Sequence, residues 1–119
     1  FYAEKNNGAF FNNQRMRVSN KNNIQDCLFA IGGKLKGEPD FPNRKTGCAA
    51  LDLAYVASGR YDGYFQKDLN LWDIAAGVIL IKEAGGIIND INLSKLENIN
   101  VLASNPNISA KFQEKLLNF

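Results

Sequence analysis

Histidine is absent from this chain of 119 residues, and cysteine, tryptophan and proline are scarce. Without an imidazole, serine–histidine and cysteine–histidine nucleophile pairs and histidine zinc sites are excluded. The two cysteines, Cys27 and Cys48, lie far apart without a paired spacing, which favours reduced thiols over a disulfide framework or a zinc site. Any chemistry must therefore depend on carboxylates, hydroxyls, backbone amides and a hard metal ion.

Long apolar runs and strong charge are missing as well. The longest apolar stretch, Ile74–Ile81, is far shorter than the roughly 20 residues that cross a bilayer, and the first five residues lack the layout of a signal peptide. Fourteen basic and twelve acidic residues leave a net charge of +2, which by itself points to neither nucleic acid nor membrane. We therefore expect a soluble, cytoplasmic protein.

Apolar residues are plentiful enough to build a core. Hydrophobic residues make up 45% of the chain and aromatic residues 11%, which suits a single domain over residues 1–119. Short strand-like runs alternate with apolar helical patterns. This alternation predicts an α/β fold, a layered sandwich with a mixed β-sheet packed by helices.

The predicted elements are a hairpin, four further strands and three helices. The hairpin spans Gly8–Val18 and turns at two asparagines, which tolerate the positive φ of tight turns. The further strands are expected at Cys27–Ile31, Tyr61–Phe65, Ile87–Ile91 and Ile99–Ala103, the helices at Cys48–Ala57, Ile74–Ala84 and Ser109–Leu117, and a loop at Gly33–Lys45. Ser58-Gly59 is expected to end the first helix, and Gly85-Gly86 the second. In the last helix, Phe112, Leu116 and Leu117 are expected to face the core.

Four ordered segments carry a resemblance to a known family: "FYAEKNNGAFFNNQRMRVS", "RKTGCAALDLAYVASGRYDGYF", "LWDIAAGVILIKEAGG" and "NINVLASNP". Together they resemble the carboxyl-terminal half of the inositol monophosphatase family, including its bacterial extragenic suppressor members. The resemblance implies part of a layered α-β-α-β-α sandwich. It also implies hydrolysis of phosphate monoesters such as inositol 1-phosphate with Mg²⁺ and inhibition by lithium.

Asp73 matches the aspartate that binds metal in the family. From the residues alone the favoured role is an N-cap on a buried helix, because one carboxylate rarely makes a metal site. The motif match reverses that preference. At a helix N-terminus the backbone amides and the dipole also favour a negative charge.

Substrate contacts are implied for Gly47, Cys48, Ala49 and Gln66. The first three match positions where the family places backbone groups and a small hydroxyl residue against a sugar-like ring, and Cys48 replaces that hydroxyl residue. Cys48 as an activated thiolate is a weaker hypothesis than a small buried thiol. Gln66 replaces a glutamate that binds a ring hydroxyl; it can still accept a hydrogen bond but lacks the charge. An exposed turn residue is an equal alternative.

The family's remaining metal ligands and water-activating residues lie in its amino-terminal half, in a "DPLDGTTNF"-type motif that this sequence lacks. No catalytic residue is therefore assigned here, and we expect the chain to be inactive without the missing amino-terminal half. Between Ile31 and Arg44 the family also has a helix and a strand, where this chain has only a short loop. The resulting exposed edge or apolar face predicts a homo-oligomer.

Two functions remain open. The first is the metal- and substrate-binding half of a phosphatase that acts on a small phosphate monoester; the second is a non-catalytic module that binds RNA or a protein. The second would use a basic surface, although scattered solvated charges are favoured: Arg15, Arg17, Lys21, Lys34, Lys36, Arg44 and Lys45. A decayed gene product is a third possibility. Asp52 and Glu83 are interpreted as structural, and Thr46 as a cap of the first helix.

Overall fold

The computed structural model describes residues 1–33, 37 and 39–117. It contains eight strands and three α-helices within these residues. The strands are β1 (Tyr2–Glu4), β2 (Gly8–Phe11), β3 (Gln14–Arg15), β4 (Phe29–Ile31), β5 (Asn43–Arg44), β6 (Gly63–Leu69), β7 (Ile87–Ile88) and β8 (Ile99–Ser104). The helices are α1 (Ala49–Ala57), α2 (Leu71–Glu83) and α3 (Ser109–Lys115). Within the described part, none of these helices is both long and apolar enough to span a membrane.

The larger sheet is mixed, as the sequence predicts. Its strand order is β5-β4-β6-β8-β7, with β4 parallel to both β5 and β6 and with β8 antiparallel to β6 and β7. The smaller sheet is antiparallel, in the order β1-β2-β3. Both edges of the larger sheet are strands of two residues, and short edge strands limit unwanted pairing with other chains.

Two hydrophobic cores lie on opposite faces of the larger sheet. The first joins α1, α2 and the small sheet to one face, through Leu53, Ile74 and Met16 among others. The second lies beneath α3, where the rings of Phe112 and Phe29 stack with centroids 4.2 Å apart. The layers are therefore small sheet, α1 with α2, large sheet, and α3. This confirms the α/β layered sandwich.

The strongest local signals are confirmed. Asn12 and Asn13 have φ values of 49° and 64° and turn the β2–β3 hairpin, because a two-residue turn of this hand requires positive φ at both positions. Gly85 has φ +86° just after α2. Glu83, the last residue of α2, accepts hydrogen bonds from the backbone N–H groups of Asn6 and Gly8, at 3.0 and 2.9 Å. These bonds lower the pKa of Glu83 and fasten the small sheet to α2.

Several predicted boundaries are wrong. Helix α2 begins at Leu71, three residues before the predicted start, because the backbone is already helical after the extended Asn70. Strand β4 begins at Phe29 rather than Cys27, since Cys27 closes a 3₁₀ turn over Ile24–Asp26. Strand β6 begins at Gly63 and extends to Leu69, and β7 ends at Ile88.

Two short strands, β1 and β5, and the end of α3 also differ from the prediction. The expected loop at Gly33–Lys45 contains β5, although Lys34, Leu35, Lys36 and Glu38 lie outside the described residues. Strand β1 was not predicted. Helix α3 ends at Lys115, so Leu117 lies beyond it and is 75% exposed instead of facing the core. Phe112 and Leu116 are buried as expected.

Candidate functional site

One pocket brings together the five residues predicted to bind substrate or metal: Gly47, Cys48, Ala49, Gln66 and Asp73. It has a volume of about 340 Å³ and lies where the N-terminal ends of α1 and α2 meet strand β6. Its lining is Gly47, Cys48, Ala49, Ala50, Gln66, Leu69, Trp72 and Asp73. Sequence reasoning did not assign Ala50, Leu69 or Trp72 to the site, although Trp72 adjoins Asp73 in the same motif.

The turn before α1 forms one wall of this pocket. Gly47 has φ +77°, and no atom of the described residues lies within 4 Å of a Cβ added there, so the backbone conformation rather than crowding favours glycine. The Cys48 backbone N–H donates to Thr46 Oγ1 at 3.3 Å, and the Thr46 hydroxyl donates to Asp52 Oδ1 at 2.6 Å. Thr46 therefore supports the turn, while Cys48 occupies the N-cap position without a side-chain capping bond.

Asp52 and Cys48 differ in exposure. Asp52 is buried, and burial raises the pKa of its carboxyl group against the lowering effect of the Thr46 hydrogen bond. Its contacts fit the structural role expected from the sequence. Cys48, in contrast, is exposed, so the expectation of a small buried thiol is wrong. The thiol is accessible because the turn places it at the pocket rim, outside the helix core.

Asp73 lies at the start of α2 but does not cap it. It is the third residue of the helix, and its backbone N–H donates to Asn70 O at 3.1 Å. The N-cap interpretation is therefore wrong, because Asn70 holds that position. Among the described residues, the half-buried Asp73 carboxylate has no hydrogen-bond or ion-pair partner. It is available to a ligand in the pocket.

Gln66 projects from β6, on the same face as Tyr64. The Tyr64 hydroxyl donates a hydrogen bond to Gln66 Oε1. Burial raises the pKa of the Tyr64 hydroxyl, and the nearby Asp52, Cys48 and Asp73 raise it further. Gln66 is thus a fixed strand residue at the pocket wall, and its interpretation as an exposed turn residue is wrong.

The residues that the structure describes do not form a complete magnesium centre. Among the described residues, no three Cys, Asp or Glu side chains are close enough to hold a metal ion together. Of the lining residues that the structure describes, only Asp73 carries a carboxylate. Mg²⁺ requires near-octahedral oxygen coordination and is bound by carboxylates together with substrate phosphates and water. Within the described part of the chain, the pocket supplies one such ligand, Asp73.

The sequence model described as the inositol monophosphatase family matches residues 1–118. An inositol-1-monophosphatase from Caulobacter vibrioides is 34% identical over an alignment that covers 98% of this chain and 53% of the relative. The Nus factor SuhB of Escherichia coli is 39% identical, with 91% of this chain and 47% of the relative covered. The chain spans about half the length of these curated relatives.

A solved structure has the same fold over nearly the whole of this chain. The extragenic suppressor protein suhB from Bartonella henselae superposes with a TM-score of 0.84 at 38% identity, covering 96% of this chain and 52% of the other. The Caulobacter alignment extends over 135 residues, more than the 119 of this chain. That relative therefore contains residues without a counterpart in this chain.

Proposed function

This chain belongs to the inositol monophosphatase family, and on that premise we propose that it forms the substrate- and metal-binding half of a magnesium-dependent phosphatase. The substrate class is inositol monophosphate or a related polyol or sugar phosphate. The fold class and the family support this proposal, and so does the name of the Caulobacter relative. Turnover would require groups that this half does not contain.

The convergence of five motif positions on one pocket is the observation that carries the proposal. Gly47, Cys48 and Ala49 come from the start of α1, Gln66 from β6 and Asp73 from the start of α2. Strand β6 leads almost directly into α2, and the fold brings the start of α1 against both of them. Free backbone N–H groups at helix starts and a fixed amide suit a polyol phosphate, because they bind oxygens without requiring a charged side chain.

Asp73 is the residue that would contribute to a metal centre. When bound, Mg²⁺ neutralises phosphate charge and activates water in this type of reaction. Because one carboxylate does not make a centre, the other ligands would come from the half of the family fold that is missing here. Lithium inhibition is expected for the completed centre, as the family resemblance implies.

Phosphate release tests this proposal. The amino-terminal half of the Bartonella relative, fused before Phe1, should release phosphate from inositol 1-phosphate in Mg²⁺, whereas this chain alone should not. Asp73→Asn in the fusion should abolish the activity. Equal activity from the isolated chain, or a folded fusion that retains full activity with Asp73→Asn, would refute the proposed division of roles.

A second candidate is a non-catalytic module, supported by the name Nus factor SuhB carried by several relatives. The basic residues give it limited support. Lys21 is engaged by Asp62 at 3.2 Å, and Lys34 and Lys36 lie outside the described residues. Fluorescence anisotropy with labelled RNA would favour this candidate if binding were tight and weakened steeply with salt. A cytoplasmic location is proposed for either function and is supported by the two free cysteines.

A further inference from the structure

Tyr64 and Gln66 form a polar pair inside the pocket wall. They lie two residues apart on β6 and share one face of the sheet. The Tyr64 ring is fully buried, and its hydroxyl donates to Gln66 Oε1. Because burial raises the pKa of this hydroxyl, Tyr64 keeps its proton and remains a donor across the ordinary pH range.

The amide oxygen of Gln66 is also enclosed by the backbone. A Cβ added to Gly32 would overlap Gln66 Oε1 and approach Gln66 Cδ. The glycine therefore lies directly against the amide, and a larger residue would displace it. The oxygen already accepts from Tyr64 and is crowded by Gly32, so little of it is left to accept from a ligand.

The amide nitrogen is the polar atom that remains. In the described part of the chain, Gln66 Nε2 donates no hydrogen bond. Gln66 lines the pocket together with Asp73, and none of the lining residues described by the structure is cationic. At this position the pocket therefore presents an N–H donor where a glutamate would present a negatively charged acceptor.

We propose that Tyr64 fixes the amide of Gln66 so that the pocket selects phosphate esters with an acceptor-only oxygen, such as a carboxylate, at the end remote from the phosphate. This inference rests on the proposed function and narrows its substrate class from neutral polyols to sugar-acid phosphates. A carboxylate gains a charge-assisted hydrogen bond from the amide, whereas a hydroxyl gains only a neutral one. Tyr64 acts as a positioning residue and Gln66 as a specificity-determining one.

A matched pair of ligands tests this selection. The probes are 6-phosphogluconate and glucitol 6-phosphate, which differ only by a carboxylate in place of a terminal CH₂OH. Trp72 is the single tryptophan and lines the pocket, so its fluorescence reports binding to the chain directly. We expect 6-phosphogluconate to bind about fivefold more tightly, given the usual advantage of charge-assisted hydrogen bonds.

Three variants separate positioning from packing. Gln66→Glu should make glucitol 6-phosphate the tighter ligand, because the new glutamate would repel the carboxylate of 6-phosphogluconate. Tyr64→Phe should bring the ratio of the two dissociation constants to about one by releasing the amide, while the buried ring remains. Tyr61→Phe is the matched control, since Tyr61 packs against Tyr55 outside the pocket; it should leave the ratio unchanged.

Each result has a definite meaning. Equal binding of both ligands, or an unchanged ratio in Tyr64→Phe, overturns the inference. If neither ligand binds the isolated chain, the same ratio is measured on the fusion in Mg²⁺: a preference for 6-phosphogluconate there supports the inference, equal binding overturns it, and absence of phosphate release from inositol 1-phosphate refutes the proposed function instead. The hydrogen bond on which the inference depends is tested without ligand by NMR. The ¹³Cδ resonance of Gln66 should then shift in Tyr64→Phe but not in Tyr61→Phe, because only the first removes the accepted hydrogen bond. An unchanged resonance in both variants overturns it.

Discussion

Two side chains define the chemistry of the pocket: the Asp73 carboxylate has no partner among the described residues, and the Gln66 amide is held by the Tyr64 hydroxyl. The resemblance places both residues in the site, but it shows neither of these contacts. Both facts depend on contacts across the fold. Trp72 was also missed, because an exposed tryptophan beside a motif aspartate has no local pattern that marks a pocket.

The two cysteines are expected to react at very different rates. Cys48 is exposed at the pocket, whereas Cys27 is buried and burial raises the pKa of its thiol to about 11. At pH 8 about one Cys27 in a thousand would be ionised, and only the thiolate reacts. The folded chain should therefore show one fast-reacting thiol with Ellman's reagent.

Cys48→Ser should remove the fast reaction, and Cys27→Ser should preserve it. Denaturant should make the second thiol reactive in the wild type. Two equally fast thiols in the native chain, or a fast reaction that survives Cys48→Ser, would contradict the described exposure.

At the scale of elements, strong local signals were predictable and weak pairings were not. The Asn12-Asn13 turn and the glycine after α2 each specify a backbone conformation by themselves. Strands β1 and β5 have only three and two residues, too few for an alternating pattern, and they form by pairing with β2 and β4. Helix ends also shift by a few residues because capping competes with tertiary contacts. The pocket itself requires α1 and α2 to meet, which no single segment encodes.

Helix α3 should contribute stability chiefly through one ring. Phe112 is fully buried and stacks on Phe29, with ring centroids 4.2 Å apart. Phe112→Ala should lower the free energy of unfolding by about 3–5 kcal/mol, as for other large-to-small changes in cores. Urea unfolding followed by circular dichroism measures the loss.

Leu117→Ala is the matched control for α3. Leu117 is 75% exposed just beyond the helix, so its truncation should change the free energy of unfolding by less than about 0.5 kcal/mol. Comparable losses in the two variants would show that the packing of α3 does not depend on the buried Phe112 ring.

At the scale of the whole molecule, one face of α2 is left uncovered in the described structure. Trp72, Ala75, Ala76 and Ile79 are exposed at spacings that place them on one side of the helix. An apolar groove of about 440 Å³ continues along this side to the exposed Leu93. Contiguous apolar surface of this kind marks interaction sites.

We therefore predict that the purified chain self-associates. Light scattering coupled to size exclusion should give a mass above the 13.2 kDa of one chain. Ile79→Lys should shift the chain toward monomer, whereas Ile87→Lys, on the short edge strand β7, should not. A clean monomer at high concentration would refute this prediction.

The central claim is that Asp73 supplies a magnesium ligand to a centre completed by the other half of the family fold. Isothermal titration calorimetry of Mg²⁺ on the fusion described above tests this claim most directly. Asp68→Asn is the control, because Asp68 is exposed, lies outside the pocket and has φ +60°, which asparagine adopts readily. We predict that Asp73→Asn weakens Mg²⁺ binding at least about tenfold while Asp68→Asn leaves it unchanged, since loss of a carboxylate removes both charge and a coordinating oxygen. Unchanged Mg²⁺ affinity in a folded Asp73→Asn fusion would contradict the claim.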